Sequence, residues 1–160
     1  MIMDNREEIG RALGKIPSGV GVLTAKNGSQ DSAMLASWFQ QVAFEPPMIS
    51  VVVNKARPIL ETIQAAKSFT LSLFHTNQKD LFGHFAKGFE PGQDPFQGIK
   101  TISSGTGGAV LADAMSFLSC EVAGELDAGD HKVFLGKVVK GGVLNDGHPM
   151  VHTRKSGFHY

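Results

Sequence analysis

Cysteine is nearly absent from this 160-residue chain: Cys120 stands alone, which excludes an internal disulfide and a cysteine-built zinc cluster. An excess of charge is absent too. Fifteen Lys and Arg balance fifteen Asp and Glu, so no overall field draws nucleic acid or an anionic membrane, and any anion site must be local. No run approaches the roughly 20 apolar residues of a membrane helix. The opening MIMDNREEIG places charges where a signal peptide needs an apolar core. A cytoplasmic protein, with neither a nucleic-acid nor a membrane partner, is the expectation. Also missing are the GxxxxGK[ST] phosphate loop, the GxGxxG fingerprint, the GxSxG elbow and the HExxH zinc helix. His148 and His152 are four apart, but Pro149 spoils the helix that would align them, so no metal site is expected.

What is present suits one globular domain over residues 1–160: a hydrophobic fraction of 42%, with no repeat or low-complexity segment. Asp4 and Glu7 fit a capping box before an apolar helical stripe of Ile9, Ala12, Leu13 and Ile16. GVLTA reads as a strand, Asn27-Gly28 as a hairpin turn, and the return strand is expected over about Ser32 to Phe39. MISVVVN reads as a strand buried on both faces. Pro58 opens a helix carrying Ile59, Leu60, Ile63 and Ala66, FTLSLF is a strand, and a further helix carries Leu81, Phe82 and Phe85. Residues 88–108 read as loop, with Gly105-Thr106-Gly107-Gly108 a flexible bend. A long hairpin turning near Asp127–Asp130 follows, burying Leu118, Cys120, Val122 and Leu126 on one face. The class predicted is mainly β: an antiparallel, Greek-key-like β-barrel with peripheral helices, since closure removes exposed edges.

The stretch MLASWFQQVAFEPPMISVVVNKARP, Met34 to Pro58, ends by placing Lys55 and Arg57 at the start of a helix. A helix N-terminus carries roughly +0.5 charge, so unpaired cations there are unfavourable by about 0.3–1 kcal/mol each. Either they are a solvated pair that tolerates this cost, or an anion sits between them and the dipole, the free N–H groups and both cations act together.

MLASWFQQVAFEPPMISVVV resembles the signature of the flavin reductase-like, FMN-binding split-barrel family: a small-residue and Ser stretch, an acidic residue, two prolines and a strand. The resemblance continues through VNKARPILETI, HFAKGFEPGQDPFQG, the Gly129-Asp130-His131 motif and VHTRKSGFHY, in that order, from about Ile9 onward. The later segments are most similar to the flavin reductase module of cyanobacterial flavodiiron proteins, which share the Ser-Trp pair of Ser37 and Trp38. Many family members have Thr and Ser where this chain has Leu35 and Trp38, so two hydroxyl contacts to flavin are not carried over. The resemblance covers that module only and brings no oxygen-reducing activity with it.

The resemblance implies a homodimer of split barrels with FMN at or near the subunit interface, reduced by NADH or NADPH as a transient hydride donor. It implies that Ala36, Ser37 and Trp38 line the isoalloxazine, that Gln41 and Asn54 are polar contacts, and that Lys55 and Arg57 hold the phosphate. Phe85, on an apolar helical stripe, is either packing or a flavin contact, and Trp38 is either core or ring contact. His131 is either a solvated turn residue or, as the family's GDH histidine, the catalytic donor near neutral pH. Arg154 and Lys155 either reach a ligand phosphate or are exposed. The implied activity supplies reduced flavin or electrons to an electron-accepting partner enzyme. The rival reading is an FMN-binding electron-transfer module with no productive nicotinamide site.

Overall fold

Asn5 begins the first helix: its side chain accepts a hydrogen bond from the Glu8 N–H at 2.8 Å, and α1 runs Arg6–Leu13. Asp4, the expected cap, lies outside residues 5–160, which the computed structural model describes. The expected apolar stripe does not face the core. Ile9, Leu13 and Ile16 are exposed, Ile16 by 61%, whereas Gly10 is buried. The helix instead lays its glycine side on the C-terminal segment. The Arg154 N–H donates to Gly14 O and the Gly157 N–H to Gly10 O, and a Cβ on Gly10 would meet Ser156 and Phe158. Two small residues one turn apart allow that backbone approach.

The remaining elements follow as β1 (Ser18–Gly19), β2 (Gly21–Asn27), β3 (Gln30–Ala36), β4 (Phe39–Ala43), β5 (Met48–Asn54), α2 (Ile59–Ala66), β6 (Ser68–Leu73), α3 (Lys79–Ala86), β7 (Thr101–Ile102), β8 (Val110–Leu111), β9 (Ser116–Ala128), β10 (His131–Val143) and β11 (Val151–His152). Seven of the strands make one antiparallel sheet in the order β3-β2-β6-β9-β10-β5-β4. Its two edge strands, β3 and β4, are consecutive in the chain and joined only by Ser37 and Trp38. A connection that short draws the opposite edges together, so the sheet curls into a barrel left open along one seam. The mainly-β barrel class expected from the sequence is the one found, but the strand expected over residues 32–39 breaks at Ser37, and that break is the seam.

The hairpin signals fall where turn chemistry puts them: Asn27 pairs with Gln30 across Gly28-Ser29, and Ala128 pairs with His131 across Gly129-Asp130, both glycines having φ of +61°. The strands buried on both faces are β2 and β6 rather than β5. Val22 points into a cluster with Phe74, Phe85 and Leu111, and its neighbour Leu23 into the main core with Val51, Phe69 and Phe134. In β5, Ile49, Val51 and Val53 are buried and the alternate residues only partly so, because β5 lies beside the edge strand β4. Leu126, expected inside, is 67% exposed, since the far end of the β9–β10 hairpin extends past the core. Cys120 is fully buried in the barrel, and burial pushes its thiol up to about 12, so it packs as a small hydrophobe.

The Gly105–Gly108 bend is a fitted strap. Ser104 Oγ and Ser119 Oγ are 2.6 Å apart, Ser119 Oγ and Thr70 Oγ1 2.8 Å, and Thr70 Oγ1 donates to Thr106 O at 3.2 Å. Thr24 Oγ1 donates to Ala109 O at 2.7 Å. These hydroxyls are buried on the sheet and satisfied by the loop's backbone, which ties the loop down.

Candidate functional site

The seam opens a cavity of about 840 Å³. One wall is Leu35 and Ala36 from β3, then Ser37 and Trp38 in the junction, with Val52 of β5 behind them. The Val52 N–H donates to Trp38 O at 2.9 Å, which fixes the junction against the neighbouring strand. The lining also includes Arg57, Pro58 and Ile59 at the start of α2, Phe82 and Phe85 of α3, and the loop of residues 88–95. The lining is more apolar than polar, and it holds cationic Arg57 together with the carboxylates Asp31, Glu90 and Asp94.

Asn54 accounts for the geometry at α2. Its Oδ1 accepts from the Ala56 N–H at 2.9 Å and its carbonyl from the Arg57 N–H at 2.9 Å, so the chain turns sharply from β5 into the helix. Pro58 caps α2 with no side-chain hydrogen bond, which leaves the first-turn N–H groups without a side-chain acceptor. Arg57 reaches Gly88 across the cavity, where a Cβ would stand 3.9 Å from its Nη1. Lys55 turns the other way. Its Nζ pairs with Asp127 at 3.3 Å, and Asp127 also meets Lys132 at 3.4 Å. The hydrogen bond from Lys55, then that from Lys132, holds the Asp127 carboxyl below its ordinary value.

Trp38, His131 and Tyr160 form an aromatic cluster at the seam, with ring centroids 4.8 Å apart for Trp38–His131 and 5.5 Å for Trp38–Tyr160. Arg154 lies over the Trp38 ring at 5.0 Å. His131 is 8% exposed, and both of its ring nitrogens are engaged: Nδ1 with Asp130 Oδ1 and Nε2 with the Tyr160 hydroxyl, each at 2.6 Å. The hydrogen bond with His131 lowers the Asp130 carboxyl, so Asp130 is an ionised acceptor and Nδ1 carries the proton. Burial raises the Tyr160 phenol against the opposing pull of Arg57 and Arg154, so it stays protonated at neutral pH. In the neutral imidazole, Nε2 therefore accepts from the phenol.

Of the residues singled out in the sequence, Ala36, Ser37, Trp38, Arg57 and Phe85 meet at the cavity. Gln41, Asn54, Lys55 and His131 do not line it. Gln41 is exposed on β4 and donates to Ala43 O, and His131 touches the cavity wall through Trp38 and Tyr160. Sequence reasoning missed Tyr160, Phe82 and His152, all of which line the cavity. Tyr160 was within reach, because it closes the VHTRKSGFHY segment that also carries Arg154. Among the described residues no group of three or more His, Cys, Asp or Glu is placed to hold a metal. Nor is any helix among the described residues long and apolar enough to cross a membrane.

A family model described as flavin reductase like domain matches residues 13–159. The chain belongs to that family. Diflavin flavoprotein A 1 of Synechocystis is 38% identical over 155 residues, covering 96% of this chain, and the match spans 27% of that longer protein. Among solved structures, the NADH:FAD oxidoreductase SgcE6 of Streptomyces globisporus superposes with a TM-score of 0.83 at 28% identity, covering 89% of this chain and 85% of that one. Flavin reductase PheA2 gives a TM-score of 0.79 at 30% identity, covering 94% of both chains. SgcE6 has also been solved with NAD and FAD fragments. The flavin reductase like domain thus extends over nearly the whole chain.

Proposed function

We propose that this chain is a flavin reductase that binds FMN in the seam cavity and reduces it with NADH or NADPH. The observation that carries the reading is the meeting, in one apolar slot, of the Ser37-Trp38 junction and Arg57 at the open start of α2. The slot fits FMN: Ala36, Val52 and Phe85 offer apolar walls, and Arg57 at the start of α2 suits a phosphate, with the Ile59 and Glu61 N–H groups beside it while the Leu60 N–H donates to Arg57 O. Bound FMN supplies the hydride acceptor, and the nicotinamide supplies the hydride. The protein's share is positional. Arg57 anchors one end, the seam walls exclude water, and Trp38, backed by His131, forms the face beside which a nicotinamide stacks. Lys55, already paired with Asp127, has the lesser part in holding phosphate.

Anaerobic addition of NADH or NADPH to the yellow, FMN-loaded protein tests the reading. Rapid bleaching supports a reductase, whereas an unchanged spectrum favours an electron-transfer module. An electron-accepting partner is part of the proposal, because the diflavin relative carries this segment within a much longer chain.

His131→Ala is expected to slow bleaching at saturating nicotinamide by roughly tenfold, the scale of one lost hydrogen bond. FMN affinity should move less, since His131 does not line the cavity. Equal losses in rate and FMN affinity would show a structural role instead. The protein is also expected to be a homodimer. Ile9 and Leu13 on α1 and Ile16 just after it are left uncovered, and Phe44 is 89% exposed at the β4–β5 turn. Sedimentation equilibrium at micromolar concentration checks this; an active monomer there would defeat it.

A further inference from the structure

Both nitrogens of His131 are occupied, yet the two partners are not equivalent. Asp130 is fixed by the hairpin itself: it precedes His131 in the chain, and its carbonyl accepts from the Lys55 N–H at 3.0 Å. Tyr160 arrives from 29 residues away, on a segment with no strand after His152. That segment is tied to α1 at Arg154 and Gly157, but the Tyr160 hydroxyl makes its one side-chain hydrogen bond among the described residues with His131. Its ring lies beside Trp38 at the cavity, and the residue is 61% exposed. Of the two, Tyr160 is the partner that can leave.

A nicotinamide presents the same chemistry as this phenol: a flat ring and, on the carboxamide, an N–H donor. We propose that the Tyr160 hydroxyl holds the position on His131 Nε2 that the nicotinamide carboxamide takes, so that Tyr160 sets the affinity for NADH or NADPH by competing with it. Exchange replaces one O–H donor by one N–H donor on the same acceptor, and one ring by another beside Trp38. The hydride donor therefore gains no net hydrogen bond to His131 until the competitor is removed. Tyr160 acts through His131 and is a positioning residue. The inference rests on the reductase reading and adds what controls entry of the donor.

Tyr160→Phe keeps the ring and removes the hydroxyl. In anaerobic stopped-flow reduction of the FMN-loaded protein, the apparent Kd for NADH or NADPH is expected to fall about three- to tenfold, the scale of one neutral hydrogen bond. The change in limiting rate should be smaller. A structural tyrosine would give the opposite: a weaker or unchanged Kd. Tyr160 is the only tyrosine and Trp38 the only tryptophan, so ring-labelled tyrosine gives a single NMR probe. Titrating FMN-loaded wild type with NAD+ or NADP+, which bind without turnover, should move the Tyr160 signals toward those of a free phenol as the nucleotide saturates. A Tyr160 signal that stays put while nucleotide binds would overturn the proposal, as would an unchanged or weaker Kd in the Phe variant. If the wild type is bleached by a nicotinamide but either of those results is found, only this inference falls. If neither wild type nor Tyr160→Phe is bleached, the reductase reading falls with it.

Discussion

Gly107→Ala is expected to destabilise the domain by about 2–5 kcal/mol. Gly107 has φ of +77°, a left-handed conformation that costs a residue with a Cβ about 1–2 kcal/mol. Its added methyl would also stand 2.5 Å from Thr70 Oγ1 and 2.6 Å from the Phe69 carbonyl, an overpacking worth about 1–3 kcal/mol. Neither neighbour yields easily. Phe69 is fully buried, and the Thr70 hydroxyl is held by Ser119 and Thr106. Gly105→Ala separates the two causes, because Gly105 has φ of +85° with nothing within 4 Å of a Cβ. It should lose only the backbone part, about 1–2 kcal/mol. Urea unfolding with unchanged m-values reads both. Equal losses at the two positions would mean that the strap does not fit the sheet as closely as its hydroxyl contacts indicate.

Arg57→Ala should weaken FMN binding by roughly tenfold to a hundredfold, the loss of one charge-assisted contact of about 1.5–3 kcal/mol. Riboflavin, with the same ring and no phosphate, should bind the variant nearly as it binds the wild type. Wild-type affinity for FMN should also fall as salt rises. Lys55→Ala should cost less than Arg57→Ala, because Lys55 is already engaged by Asp127 at 3.3 Å whereas Arg57 lines the cavity. Titrating both flavins into each protein by flavin fluorescence decides the matter. An unchanged preference for FMN over riboflavin in Arg57→Ala would remove Arg57 from the site.

Local chemistry made much of the fold legible. Asn27-Gly28 and Gly129-Asp130 mark their hairpins because φ above zero is cheap only at such residues, and Pro58 marks the start of α2 because its own ring pre-sets helical φ. The misreadings share one cause. Ile9 and Leu13 look like a buried stripe, and β5 looks buried on both faces, only until one knows which surface lies opposite. Here Gly10 and Gly14 take the contact that the stripe was expected to make, and β2 takes the doubly buried place beside β6. Likewise, Gly105–Gly108 reads as a flexible bend until Thr24, Thr70 and Ser119 are seen to hold it.

By itself the sequence determined the three helices, the main hairpins, the barrel class, and the placing of Arg57 at a helix start beside a Ser-Trp junction. These follow from periodicity, turn residues and a family motif, all of which are local in the chain. The short strands β1, β4, β7, β8 and β11 were not read from the sequence. Tertiary structure alone decided that Ser37 and Trp38 form the seam, that Lys55 faces Asp127 while Arg57 faces the cavity, and that Tyr160 closes on His131. Each depends on which side of a curled sheet a side chain meets, and that is fixed only when edges distant along the chain are drawn together.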